Sequence, residues 1–125
     1  PERWLRNAAR ILTPGGIIAV STFGPDNMRE IAEVTQLPLR YYTADELTAM
    51  IPDGCSVIAV EEERIIKEFT SPREVLNHLK LTGVNAMRCP ATSARDLIAS
   101  YPMTDGKARL TYHPIYLIIK KDTNE

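Results

Sequence analysis

The sequence predicts an α/β fold, on three observations. It opens with an amphipathic helical stretch, a Pro-Gly-Gly turn and a β-branched run without polar alternation, which is the grammar of a helix feeding a covered strand. Capped helix starts recur downstream, at Thr43 and at Ser71. Short apolar runs of strand length stand between them. At 125 residues the chain suits one core rather than two. Hydrophobic residues at 44% and charged residues at 25% are a globular composition, which excludes disorder and coiled coil.

In chain order, Trp4, Leu5, Ala8, Ala9, Ile11 and Leu12 lie on one side of a helical wheel, with Arg3, Arg6, Asn7 and Arg10 opposite. Pro14, Gly15 and Gly16 stop that helix at a turn needing positive φ. Ile17 to Val20 then reads as a strand covered on both faces. Asp26 is placed to cap a helix carrying Met28, Ile31 and Ala32. Thr43 and Glu46 form a capping box, and Tyr42 with Leu47 a hydrophobic staple. Pro52, Asp53 and Gly54 end that helix. The segment from Val57 to Phe69 reads as one long strand, buried at Val57 to Val60 and solvated at Glu61, Glu62 and Glu63. Ser71, Pro72 and Glu74 start a helix that runs to Gly83, burying Val75, Leu76 and Leu79. Leu81 points off that face by the 100° step. A further helix starts at Ser93 and stops at Pro102, and Leu110 to Ile119 reads as a strand interrupted or bulged at Pro114. The tail from Lys120 is expected to fray.

Charge and motifs exclude several functions. Fifteen Lys and Arg against sixteen Asp and Glu leave a net charge of −1, so nothing attracts the chain as a whole to nucleic acid or to an anionic membrane. No apolar run reaches the roughly 20 residues of a membrane span, and no signal-peptide pattern opens the chain. The start at Pro1, inside a helical pattern and without an initiator Met, points to a piece of a longer protein. Cys55 and Cys89 are too sparse and too far apart for a zinc or redox motif, which suits a reducing cytoplasm. His78 and His113 have no metal-ligand spacing either, so no metal is expected, and His78 reads as a solvated or core-edge imidazole, with a substrate contact as the alternative. There is no GxGxxG or GKS/GKT cradle and no GxSxG elbow. Two features remain. Thr22, Phe23 and Gly24 fall just past a strand's C-terminal end, where open α/β sheets bind ligands. Arg73, Lys80 and Arg88 place positive charge on and after the Ser71 helix, which suits an acidic partner or a ligand carboxylate as well as an ordinary mixed surface.

Read as words, the elements carry a resemblance. Ala8 to Val20, AARILTPGGIIAV, is similar to the helix, turn and fifth strand of class I S-adenosylmethionine-dependent methyltransferases. STFGP at Ser21 to Pro25, YTADEL at Tyr42 to Leu47, VLNHLKLTGVNA at Val75 to Ala86 and LTYHPIYLIIK at Leu110 to Lys120 together resemble the malonyl-acyl-carrier-protein O-methyltransferases of biotin synthesis. The resemblance covers about the second half of a typical member. It implies the C-terminal half of a Rossmann-like sheet, strands five to seven. The last strand would be antiparallel and lie between the other two, with a helical insertion at about 71–102 before it. Pro114 fits a central strand only outside the paired stretch. The segment from Arg88 to Pro102 departs from the family pattern.

What the resemblance implies for function is methylation of the free carboxylate of malonyl-acyl-carrier protein, with S-adenosylmethionine bound mainly by the half not in this chain. The 125-residue piece alone is then expected to be inactive. A carboxylate is already ionised near pH 7, so no catalytic acid or base is expected, only positioning and exclusion of water. Thr22 and Phe23 would wall the methyl-transfer pocket, Tyr42 and Asn85 would shape the malonyl site, and Arg88 or Arg73 would meet the carboxylate or the phosphopantetheine. Carrier-protein docking is assigned to Arg73, Lys80 and Leu81, and self-association through an exposed sheet edge or core face is a further expectation. Two alternatives stand beside it: a non-enzymatic interaction domain derived from a methyltransferase, and a related methyltransferase acting on another small carboxylic acid.

Overall fold

Residues 2–35, 41–82 and 94–123 are described by the computed structural model. The order is α1 (Glu2–Ile11), β1 (Ile17–Phe23), α2 (Arg29–Thr35), α3 (Ala44–Ala49), β2 (Cys55–Glu62), β3 (Ile65–Phe69), α4 (Pro72–Leu81), α5 (Ala94–Ser100), β4 (Met103–Thr104), β5 (Lys107–Tyr112) and β6 (Pro114–Lys121). The two long strands expected from the sequence are each divided. The run from Val57 to Phe69 breaks at Glu63 and Arg64, and the run from Leu110 to Ile119 breaks at His113. In both cases the two halves pair in different sheets, β1-β6-β2 and β3-β5-β4. The chain accordingly forms two units: 1–25 with 41–63 and 113–125, and 26–40 with 64–112.

In the first unit β6 runs antiparallel to both β1 and β2, so β1 and β2 are parallel to each other with β6 between them. This is the arrangement implied for strands five, seven and six. Pro114 is tolerated because it is the first residue of β6. Its carbonyl accepts from Glu63 N at 3.1 Å, so its missing N–H falls on the β2 side, where β2 has already ended. The core of this unit joins Leu5, Leu117 and Ile119 with Ile18, Val20, Met50, Ile51 and Val60.

The α1 stripe is narrower than the helical wheel suggested. Leu5 and Ala9 are buried, whereas Trp4 and Ile11, about 100° and 120° from Leu5 at 100° per residue, are exposed, Ile11 at 85%. Gly15 has φ +83°, and its N–H donates to the Lys121 carbonyl. Lys121 Nζ donates to the carbonyls of Ala9 and Leu12 at 3.0 and 2.9 Å, satisfying acceptors that a helix end leaves open. The chain is therefore ordered through Lys121 instead of fraying from Lys120.

One face of this sheet departs from expectation. Ile17 is 58% exposed, and Ile118 and Tyr116 on β6 share the exposed side, so no described residue gives β1 a second cover. Val57 and Ile58 are also exposed, because a bulge between Val57 and Ala59 breaks the alternation.

The second unit packs α2, α4 and α5 with β5, joining Met28, Ile31, Val75, Leu79, Tyr101, Ala108 and Leu110. α2 begins at Arg29, after Met28 at φ +53°, two residues later than an Asp26 cap would place it, and the Asp26 carboxylate takes Arg64 Nε at 2.9 Å. The α3 capping box forms as expected. At α4, Ser71 Oγ accepts from Glu74 N, but Glu74 Oε2 reaches back to the N–H of Thr70, not of Ser71. Those Thr70 hydrogen bonds hold the Glu74 carboxyl below its usual range. Leu81 is 89% exposed, the off-face position expected. The Ser93 cap and the end of the α4 segment at Gly83 lie outside the described residues.

Candidate functional site

Because β1 and β2 are parallel, their C-terminal ends finish at the same end of the sheet, where β6 begins. This gathers Thr22, Phe23 and Gly24 with Glu62, Glu63, His113 and Pro114, residues far apart in sequence. Thr22 and Phe23 are the last two residues of β1 instead of lying just past it, and only Gly24 is beyond the strand. Phe23 stands opposite Pro114 in the register. Its ring meets Tyr41 edge-on, centroids 6.5 Å apart at 72°, an attractive aromatic geometry. Phe23 is 44% exposed, so an apolar aromatic wall stands open at the strand end. Tyr42, the adjoining residue, is half-buried and directly precedes the α3 cap at Thr43.

Behind this wall sits a buried polar knot. His113 is 2% exposed, and its Nε2 lies 2.7 Å from Glu62 Oε1, a partner a buried imidazole needs. Its carbonyl accepts the Gly24 N–H at 2.7 Å. The ring also lies directly over Gly24, where any β-carbon would overlap it. Position 24 must be glycine for lack of room rather than for backbone freedom. Glu63 takes the Tyr116 hydroxyl at 3.4 Å, and desolvation, then the Glu63 charge, raise that phenol's pKa.

The remaining sequence candidates fall elsewhere. Arg73, Lys80 and Leu81 are exposed on α4 in the second unit. Asn85 and Arg88 lie outside the described residues. Of the two readings of His78, solvated or core-edge, the structure has the core-edge one, 2.8 Å from Tyr112 Oη and packed on Phe69. Sequence reasoning found Gly24 but missed Glu62 and His113, which hold it. It took Glu61 to Glu63 for a purely solvated stretch and left His113 unpaired. The available signal was His113 itself, a polar residue between Tyr112 and Pro114 inside an apolar run, which requires a buried partner.

No family model matches the chain. Curated relatives do. A malonyl-acyl-carrier-protein O-methyltransferase of Prosthecochloris aestuarii is 41% identical over 120 residues, 90% of this chain and 44% of that protein. The one from Bacteroides fragilis is 39% identical over 129 residues, 97% of this chain and 26% of that protein. The resemblance to malonyl-acyl-carrier-protein O-methyltransferases holds along the chain. The chain spans about half the length of most of these methyltransferases, as with that of Haemophilus influenzae at 31% identity and 49% of its length. Among solved structures, a putative methyltransferase from Bacillus halodurans covers 98% of the chain with a TM-score of 0.56 at 14% identity, the chain spanning 58% of it. The fold is that of the C-terminal part of a class I methyltransferase, with the strand order β1-β6-β2 that the resemblance implied.

Proposed function

We propose that the protein carrying this chain is an S-adenosylmethionine-dependent methyltransferase that esterifies the free carboxylate of malonyl-acyl-carrier protein in biotin synthesis, working in the cytoplasm. The observation that carries this is the match to proteins of that name over 90% and 97% of the chain, with an open aromatic wall at the sheet end where such folds bind ligands. S-adenosylmethionine supplies a methyl group activated by its sulfonium. A malonyl carboxylate is ionised at neutral pH, so no side chain of this chain is asked to take a proton.

The contribution read for this chain is positional. Phe23, braced by Tyr41, excludes water from the reacting end, with Thr22 assigned to the wall at the same strand end although its side chain points to the other face of the sheet. The aromatic wall fits an apolar, methyl-bearing group. The chain offers no glycine-rich phosphate or ribose cradle, so cofactor binding is assigned mainly to the rest of the protein. Tyr42 and Asn85 are assigned to the malonyl end, and Arg88 or Arg73 to the carboxylate or phosphopantetheine. The exposed trio Arg73, Lys80 and Leu81 is assigned to the acidic carrier protein, charge meeting charge around one apolar contact. The second unit is read as an insertion into one methyltransferase domain, with the helices of 71–102 joined there by the β3-β5-β4 sheet.

The test is transfer of labelled methyl from S-adenosylmethionine to malonyl-acyl-carrier protein by the full-length protein, wild type against Phe23→Ala and Asn85→Ala. The reading expects turnover by the wild type and loss of about tenfold or more in Phe23→Ala. Turnover of another small acid instead would move the substrate, and absence of any transfer would leave the interaction-domain alternative.

A further inference from the structure

We propose that His113 is a positioning residue: clamped by Glu62, it fixes the backbone at Gly24 and so holds Phe23 at the open end of the sheet. The inference rests on the functional reading above for why Phe23 matters, but the clamp itself stands on geometry.

Three features of one residue converge on Gly24. The His113 carbonyl accepts the Gly24 N–H at 2.7 Å, which makes Gly24 and His113 the bonded pair one step beyond Phe23 and Pro114. In an antiparallel ladder bonded and non-bonded pairs alternate, so Phe23 and Pro114 face each other without a ladder bond. The main-chain tie that closes the end of β1 is therefore the one to His113. The imidazole then lies on the Gly24 Cα, leaving no space for a side chain. Finally, Nε2 is anchored 2.7 Å from Glu62 Oε1, and Glu62 is the last residue of β2. One ring thus spans the ends of two strands and the start of a third.

A rigid peg at this place has a functional consequence. Phe23 immediately precedes Gly24 and is itself 44% exposed, so its own burial holds it less firmly than it would a core ring. A misplacement of about 1 Å in a positioning wall can cost about a hundredfold in rate. Glu62 is half-open to solvent, at 38% side-chain exposure. The pair is thus better suited to fixing geometry than to supplying stability.

The experiment uses the full-length protein, with Glu62→Leu and His113→Ala against wild type, and with Leu79→Ala in the second unit as a destabilising control. Hydrogen exchange at the Gly24 amide, the Phe23–Tyr41 ring contact by NMR, and kcat against KM for malonyl-acyl-carrier protein are measured. The clamp predicts about tenfold or faster Gly24 exchange and a weakened ring contact in both first-unit variants. It also predicts a fall in kcat larger than any change in KM, with none of these in Leu79→Ala beyond a general loss of stability. Should His113→Ala not fold, Glu62→Leu, which keeps the ring and removes only its anchor, decides alone. Unchanged Gly24 exchange and an intact ring contact in a folded Glu62→Leu protein would overturn the proposal. If exchange and ring contact respond but the wild type transfers no methyl group, the clamp stands and the functional reading fails.

Discussion

The two units each bury a carboxylate-centred polar knot, and they do so in opposite ways. In the second unit Glu30 is buried and hydrogen-bonds Thr111 with both oxygens, Oε1 accepting Thr111 N at 2.9 Å and Oε2 accepting Thr111 Oγ1 at 2.6 Å, with Arg29 Nε 3.8 Å from Oε2. In the first unit the carboxylate of Glu62 stays partly in water and it is the partner, His113, that is buried. A committed carboxylate inside one unit stabilises that unit's core. A half-solvated one at a strand end adds little stability and serves instead to fix its buried partner in place, which suits a place where a ligand is expected.

That contrast is sharpened first by core truncation. Leu79, fully buried between α4 and the second unit's sheet, should cost about 2–5 kcal/mol on Leu79→Ala, read from the urea midpoint. Next come matched carboxylate substitutions. Glu30→Ala leaves the Thr111 N–H and hydroxyl buried without partners and should cost about 3 kcal/mol. Glu62→Gln, with one partner and solvent access, should cost under about 1 kcal/mol. Equal costs would erase the distinction between the two knots.

A smaller effect carries a pH signature. The Tyr101 hydroxyl donates to the Arg109 carbonyl, and Tyr101→Phe should cost about 1 kcal/mol near neutrality. Burial, with the charge of Glu30 second, pushes the Tyr101 phenol well above its ordinary range. A phenol whose folded pKa is raised contributes stability fully below the unfolded value of about 10 and loses it as pH rises toward the folded value. The wild type should therefore lose stability above about pH 10 more steeply than Tyr101→Phe, as followed by thermal melts. Of similar size is Ser71→Ala, which removes the α4 cap and should cost about 1 kcal/mol. No loss would mean that Pro72 and the Glu74–Thr70 bond suffice to start the helix.

Local chemistry was legible and long-range pairing was not. Thr43 with Glu46, Ser71 with Pro72, and the turn at Gly15 announce themselves within four residues, because caps and turns are satisfied by near neighbours. The α4 face followed from 100° steps at Val75 and Leu79, whereas Leu76, expected with them, is only half-buried. Both strand divisions were invisible, since an apolar run looks the same whether its halves enter one sheet or two; only Pro114 hinted at the second. Glu62 and His113 stand 51 residues apart, and Glu30 and Thr111 stand 81 apart, so neither knot leaves a local pattern. The strand order came through because the whole-chain words matched a family, whereas periodicity alone stopped at helix, turn and strand. Thr22 and Phe23 were found from their place at a strand's end, and the residues that hold them there were not.

We propose that methyl transfer takes place at the sheet end in the first unit and that carrier-protein docking belongs to α4 in the second. Steady-state kinetics of the full-length protein test it directly, comparing Phe23→Ala with Arg73→Glu/Lys80→Glu on malonyl-acyl-carrier protein. The account predicts that Phe23→Ala lowers kcat more than it changes KM, while the charge reversal raises KM more than it lowers kcat, by a factor that shrinks as salt is added. The reverse pattern, or a charge reversal without effect at low salt, would contradict it.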